Sequence, residues 1–195
     1  MAVEQLKAEI LTWQSALSAH DAGNFRTSLH LFEPIADTAK IFVNVALIHD
    51  RLGERALAIE NISRAIELDK YLAIGYLQRG VYFFHGGQYA EALQDFSEAQ
   101  AMMRTNLEID YDMLGLPYKL KLQEILFNKL LALLRLENKK EGLVVLQTII
   151  AGSPPPDLAA KVLRTEHSVA DAEPVSLVRG ARRSLTHFDF IHCIA

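Results

Sequence analysis

Seven histidines and one cysteine are the residues of this 195-residue sequence most suited to holding a metal or acting as a nucleophile. His20, His30, His49, His85, His167, His187 and His192 share no spacing that would gather several ligands round one ion, so structural or solvated roles are expected. Cys193 has no base beside it in a recognisable motif, and a lone cysteine excludes an internal disulfide. Gly86-Gly87 and Gly115 suit turns better than a phosphate-cradling loop. Arg179, Arg182 and Arg183 form a short basic run, which is ordinarily a solvated one. No catalytic constellation remains. The expectation is a non-enzyme with no metal and no cofactor of its own.

The totals point to an ordinary soluble globular protein. Half the residues are apolar, 23% are charged, and the formal net charge is −4. The last 45 residues carry five Lys/Arg and five Asp/Glu, so the earlier residues hold 20 − 5 = 15 against 24 − 5 = 19. That balance lacks the basic footprint of a nucleic-acid binder. No apolar run reaches the roughly 18 residues that a membrane helix needs, and no targeting signature opens the chain. A cytoplasmic location without membrane insertion is expected, with recruitment to a membrane left to partners.

The architecture follows from a pattern written twice. Setting Ala39 against Ala73 places Phe42 over Tyr76, Ala46 over Gly80, Gly53 over Gly87, Ala58 over Ala92, Ile62 over Phe96 and Ala65 over Ala99. The offset is 73 − 39 = 34 residues, the tetratricopeptide (TPR) period. Small residues recur where paired helices must cross closely, and large apolar ones fill the space between. A shorter first copy has Gly23 at its turn, Ser28 at the small crossing position and Phe32 at the large one, within helices expected over Ala2–Asp21 and Phe25–Ile35. A fourth copy fits from Gln123, through Leu126, Leu130, Leu133, Gly142, Leu146 and Ile149 to Pro154.

From Ala73 to Gln123 is 50 residues, so 50 − 34 = 16 are inserted, over about 104–118. Leu107, Ile109 and Tyr111 alternate there with Glu108, Asp110 and Asp112, the period-two sign of a strand or ribbon. An insertion into a repeat array maps to a surface loop, often on a binding side. The expected fold is therefore an all-α TPR solenoid of four helix–turn–helix repeats, with a short ribbon-like insertion between repeats three and four. The array is assigned to 1–156, a capping helix with Asp157 as its N-cap to 157–170, and an extended or disordered tail to 171–195.

Projected onto the repeat, the groove-facing side of each first helix is largely apolar. It takes Ile10, Trp13 and Leu17, then Lys40, Val43 and Leu47, then Ile74, Leu77, Val81 and Phe84. An open lining of this kind marks a binding surface or an aggregation hazard. The tail around Glu173–Val178 is expected to lie extended over it. The cation and amide set with which TPR co-chaperones hold a terminal carboxylate is missing. Trp13, Leu17, Ile74 and Gln78 stand where it would be needed.

The order Asp69-Lys70-Tyr71-Leu72-Ala73, Gln78-Arg79-Gly80, Arg104 through Tyr111, Leu114-Gly115-Leu116 and Tyr118-Lys119-Leu120 resembles a known family. It is similar to the N-terminal TPR domain of the cytosolic activators of the phagocyte NADPH oxidase and their fungal regulator counterparts, over about Leu6–Pro154. The resemblance implies a non-catalytic adaptor. Such an adaptor binds a Rac-type small GTPase in its GTP form and regulates a membrane NADPH oxidase that makes superoxide; heme, FAD and NADPH belong to that oxidase. It also implies a GTPase-binding set of Asp69, Tyr71, Arg104, Asn106, Glu108 and Asp110. Tyr71, Thr105 and Glu108 depart from the histidine, glycine and leucine of the phagocyte protein. The alternative reading is a general TPR scaffold for a peptide or chaperone-related partner, using Trp13, Leu17, Val43, Leu47, Leu77, Val81 and Phe84.

Overall fold

Gly23, Gly53 and Gly87 take the same left-handed backbone, with φ of 77°, 76° and 77°. Each joins the two helices of one repeat, at a conformation that costs glycine nothing. The computed structural model describes residues 2–112, 118–167 and 173–175. Its helices are α1 (Ala2–Asp21), α2 (Phe25–Phe32), α3 (Ala39–Arg51), α4 (Arg55–Leu68), α5 (Ala73–His85), α6 (Tyr89–Met103), α7 (Leu122–Arg135), α8 (Lys139–Ala151) and α9 (Pro156–His167). The fold is all-α, with helices paired as α1/α2, α3/α4, α5/α6 and α7/α8.

Two details correct the sequence expectations. α2 stops at Phe32 and a 3₁₀ turn, Glu33–Ile35, replaces its last turn. Pro34, which lacks an N–H to continue an α-helix, accounts for that change. α9 begins at Pro156, so Asp157 sits in its first turn rather than at its cap. There its carboxylate still meets the positive end of the helix dipole.

The described residues fall into two compact units, the first reaching Lys70 and the second including Tyr71–Asp110 and the helices after Lys119. In the first, Trp13, Ala16, Leu29, Phe32, Ile41, Val45 and Ile48 form one buried cluster. Trp13 meets Phe32 edge-on, with ring centroids 5.1 Å apart. Ser28, at the expected small crossing position, donates its hydroxyl to the Ala16 carbonyl at 2.8 Å. A corner of polar groups closes the next repeat. His49 Nδ1 lies 2.8 Å from Glu54 Oε2, and Arg26 reaches Glu54 Oε1 at 2.6 Å.

In the second unit Gly80 marks the crossing of α5 and α6. A Cβ built on Gly80 would lie 2.6 Å from the Phe96 ring, so glycine is required there. Beside it, Arg79 forks onto Asp95, with Nε and Nη2 each 2.8 Å from a carboxylate oxygen. Burial pushes the Asp95 carboxyl above its ordinary range, although Arg79 pulls the other way.

The insertion forms an antiparallel ribbon of β1 (Glu108–Asp110) and β2 (Lys119–Lys121), with Glu108 opposite Lys121, Ile109 opposite Leu120 and Asp110 opposite Lys119. β2 thus lies just past the expected end of the insertion. Leu120 is fully buried and anchors the ribbon's inner face. The Leu122 N–H donates to the Leu107 carbonyl at 2.9 Å, tying the ribbon's root to the start of α7.

Candidate protein-docking face and a backbone clamp

Arg104 terminates α6 in an unusual way. Its φ of 53° and ψ of −115° lie in a region that side-chain-bearing residues rarely occupy. Such a conformation costs roughly 1–3 kcal/mol and persists where the surroundings over-determine it. Two contacts hold it: the Arg104 N–H donates to the Ala101 carbonyl at 3.1 Å, and the guanidinium lies 5.4 Å from the centre of the Tyr71 ring. Tyr71 is 69% exposed and Leu107 76%, large apolar surface for residues beside a charged loop. The Asn106 N–H caps the turn by donating to the Met103 carbonyl at 2.9 Å.

The structure therefore brings Tyr71 and Arg104 into contact and sets Asn106, Glu108 and Asp110 on the exposed segment that follows. Neither the Arg104 guanidinium nor the Asn106 amide has a hydrogen-bond acceptor among the described residues. Both are left as donors for an incoming surface, and the guanidinium offers a planar fork suited to carboxylate or carbonyl oxygens. The ribbon carboxylates differ. Lys119 Nζ lies 2.9 Å from Asp110 Oδ2 and 3.9 Å from Glu108 Oε1. Asp69 belongs to the first unit. It is the half-buried residue after α4, its N–H donating to the Ala65 carbonyl at 3.0 Å.

The residues assigned to an apolar groove are buried rather than open. In the first unit Trp13, Val43 and Leu47 are buried, Leu17 is half-buried, and Trp13 belongs to the packed cluster. Lys40 lies over the Trp13 ring at 5.5 Å. In the second unit Leu77, Val81 and Phe84 are buried as well. Val175 is held by α7: the Asn128 amide donates to the Val175 carbonyl at 2.8 Å, and the Val175 N–H donates back to Asn128 Oδ1 at 2.7 Å. Pro174 is buried, and His85 Nε2 stands 3.8 Å from Glu173 Oε2. The rest of the expected covering segment, 176–178, lies outside the described residues. Asn128, which the sequence reading missed, had one signal. It stands five residues into its repeat (128 − 123), as Asn44 does (44 − 39) and Gln78 does (78 − 73).

Known proteins resolve the likeness. An NADPH oxidase activator of Dictyostelium discoideum is 36% identical over 129 residues, covering 66% of this chain and 21% of that protein. The chain is a homologue of the NADPH oxidase activators. Neutrophil cytosol factor 2 of Bos taurus matches at 34% over 124 residues, 63% of this chain and 24% of the relative. The chain thus spans about a quarter or less of these relatives' length. Their names are those of activators and a cytosol factor rather than of catalysts, and the non-enzyme reading stands on them. No family model matches. Among solved structures, YrrB, described as a TPR protein with an unusual peptide-binding site, matches with a TM-score of 0.62 at 17% identity, covering 80% of this chain and 75% of YrrB. MamA matches with a TM-score of 0.59 at 14% identity, covering 73% and 72%. Both support the TPR fold. Among the described residues, no helix is long and apolar enough to cross a membrane.

Proposed function

We propose that this oxidase-activator homologue is a cytoplasmic adaptor that binds a Rac-type small GTPase in its GTP form and so regulates assembly of a membrane NADPH oxidase. Arg104 is the observation that carries the reading. It is strained in its backbone, set over the ring of exposed Tyr71, and left with its donors unfilled among the described residues, on an insertion of the repeat array. An aromatic–arginine pair beside exposed Leu107 has the composition of an interface hot spot. Asn106, Glu108 and Asp110 extend the face; Asp69, in the first unit, is proposed as a GTPase contact from the resemblance alone.

Calorimetry against Rac loaded with a non-hydrolysable GTP analogue or with GDP tests this. Binding is expected to need the GTP form and to fall by about 30-fold or more in Arg104→Glu, in line with the roughly 2 kcal/mol or more that a hot-spot residue carries. No binding from a folded wild-type sample overturns the reading. The second reading, a TPR scaffold for extended peptides, is favoured by one observation, the two-way pairing of Asn128 with the Val175 backbone. Under it, Arg104→Glu leaves partner binding intact while Asn128→Ala changes it.

A further inference from the structure

We infer that Lys119 is a specificity-determining residue of the docking face, acting by holding the two ribbon carboxylates, Glu108 and Asp110, in place. The inference rests on the GTPase reading above and adds to it a residue outside the assigned set.

The ribbon's register puts Lys119 directly opposite Asp110, and cross-strand neighbours in a two-stranded ribbon project to the same side. Glu108, two residues from Asp110, shares that side. The opposite side carries Ile109 and buried Leu120 and packs inward, so the charged side faces solvent. One ammonium thus lies between two carboxylates, at 2.9 Å from Asp110 and 3.9 Å from Glu108. Without it, two like charges two residues apart on one strand would repel each other and swing freely.

This arrangement has two consequences for a partner. Glu108 and Asp110 present acceptor oxygens in fixed directions before contact, which lowers the ordering cost of binding. Lys119 also offsets one of their two charges within the ribbon, so they compete less for the Arg104 guanidinium and repel less the acceptor groups brought to it. The face therefore suits a partner that offers oxygen acceptors to Arg104 and hydroxyl or backbone N–H donors to the ribbon. A strongly basic surface gains little from carboxylates already paired.

The test compares wild type, Lys119→Met, Lys119→Arg, Asp110→Asn and the Asp110→Asn/Lys119→Met double variant, each titrated with GTP-analogue-loaded Rac. Association rates are followed at low and high salt, and melting temperatures alongside. Lys119→Met is expected to weaken binding by about two- to fivefold, the scale of an exposed ion pair, with unchanged melting. Lys119→Arg should restore the affinity. The double variant should bind no more weakly than Asp110→Asn alone, because Lys119 acts through that carboxylate. Wild-type binding with Lys119→Met equal or tighter, or with strictly additive losses in the double variant, overturns this inference and leaves the GTPase reading intact. No wild-type binding overturns both.

Discussion

Repeat two (α3 and α4) and repeat three (α5 and α6) share a period, a turn and near-identical helix lengths, yet they are fastened by different chemistry. At the offset of 34, Arg79 and Asp95 of repeat three correspond to Val45 and Asn61 of repeat two. Val45 joins an apolar cluster, and Asn61 donates only to the Leu57 carbonyl of its own helix. Repeat three instead seats a forked ion pair whose carboxylate is buried, beside a glycine crossing where repeat two has Ala46. Repeat two places its charges at the corner, in His49 and Glu54, where Arg26 of α2 joins them. The repeat pattern specifies where helices approach. It does not specify which polar groups lock them.

The largest expected break in this comparison is Arg79→Ala. It strands Asp95, only 6% exposed, without its counter-charge, a loss on the order of 3–5 kcal/mol. Val45→Ala in repeat two removes only apolar contact and is expected to cost roughly 2 kcal/mol. Chemical denaturation of both variants measures the gap. Equal losses would mean that the ion pair adds nothing that Val45 does not.

A contrast of sign comes next, from the slot shared by Asn44 and Asn128. Asn128 satisfies its amide on the Val175 backbone. Both amide atoms of Asn44 are buried with no hydrogen-bond partner among the described residues. Asn128→Ala is expected to destabilise by about 2–3 kcal/mol, as two hydrogen bonds are lost, and to open the chain around Val175 to proteolysis. Asn44→Leu, which removes an unsatisfied amide at similar volume, should be neutral or stabilising by about 1 kcal/mol. Melting curves of the two variants decide it, and loss of stability in both would erase the contrast.

The smallest effect is in acid. Hydrogen bonding to His49, reinforced by Arg26, holds the Glu54 carboxyl below its ordinary range, against the opposing effect of desolvation. The unfolded chain takes up that proton first as pH falls, so this contribution is present above about pH 4.3 and is lost below it. Asp95, raised by burial, has the opposite sign: the folded state binds its proton more readily, and acid relieves its burial cost. Glu54→Gln should therefore flatten the acid limb of a stability–pH curve, and Asp95→Asn should steepen it. Matching curves for the two variants would remove the distinction between the repeats.

The parts of this molecule that were legible in its sequence are those set by size. Ala46 and Gly80, and Ala58 and Ala92, recur because a larger residue would crowd the helix crossing, and the turn glycines recur because their backbone takes a positive φ, so the period survives in the letters. Alternation also exposed the first ribbon strand, since Ile109 must turn inward. Partners fixed by register or by distant chain were not legible. Lys119 meets Asp110 only once the ribbon's pairing is known, and the repeat position of Asn128 gives no sign that its partner is Val175, 47 residues on. Pro34 was legible but was outweighed by the apolar spacing around it. Of the proposed docking face, the residue types were readable, while the placing of Arg104 over Tyr71 and the strain beneath it were not.

That strain sets two aims against each other at a single codon. Glycine relaxes the backbone that Arg104 holds at φ 53°. A screen that rewards heat resistance alone would thus drift toward glycine at 104 and discard the guanidinium fork. Hardening this protein as a reagent therefore calls for partner capture to be selected together with survival of heating.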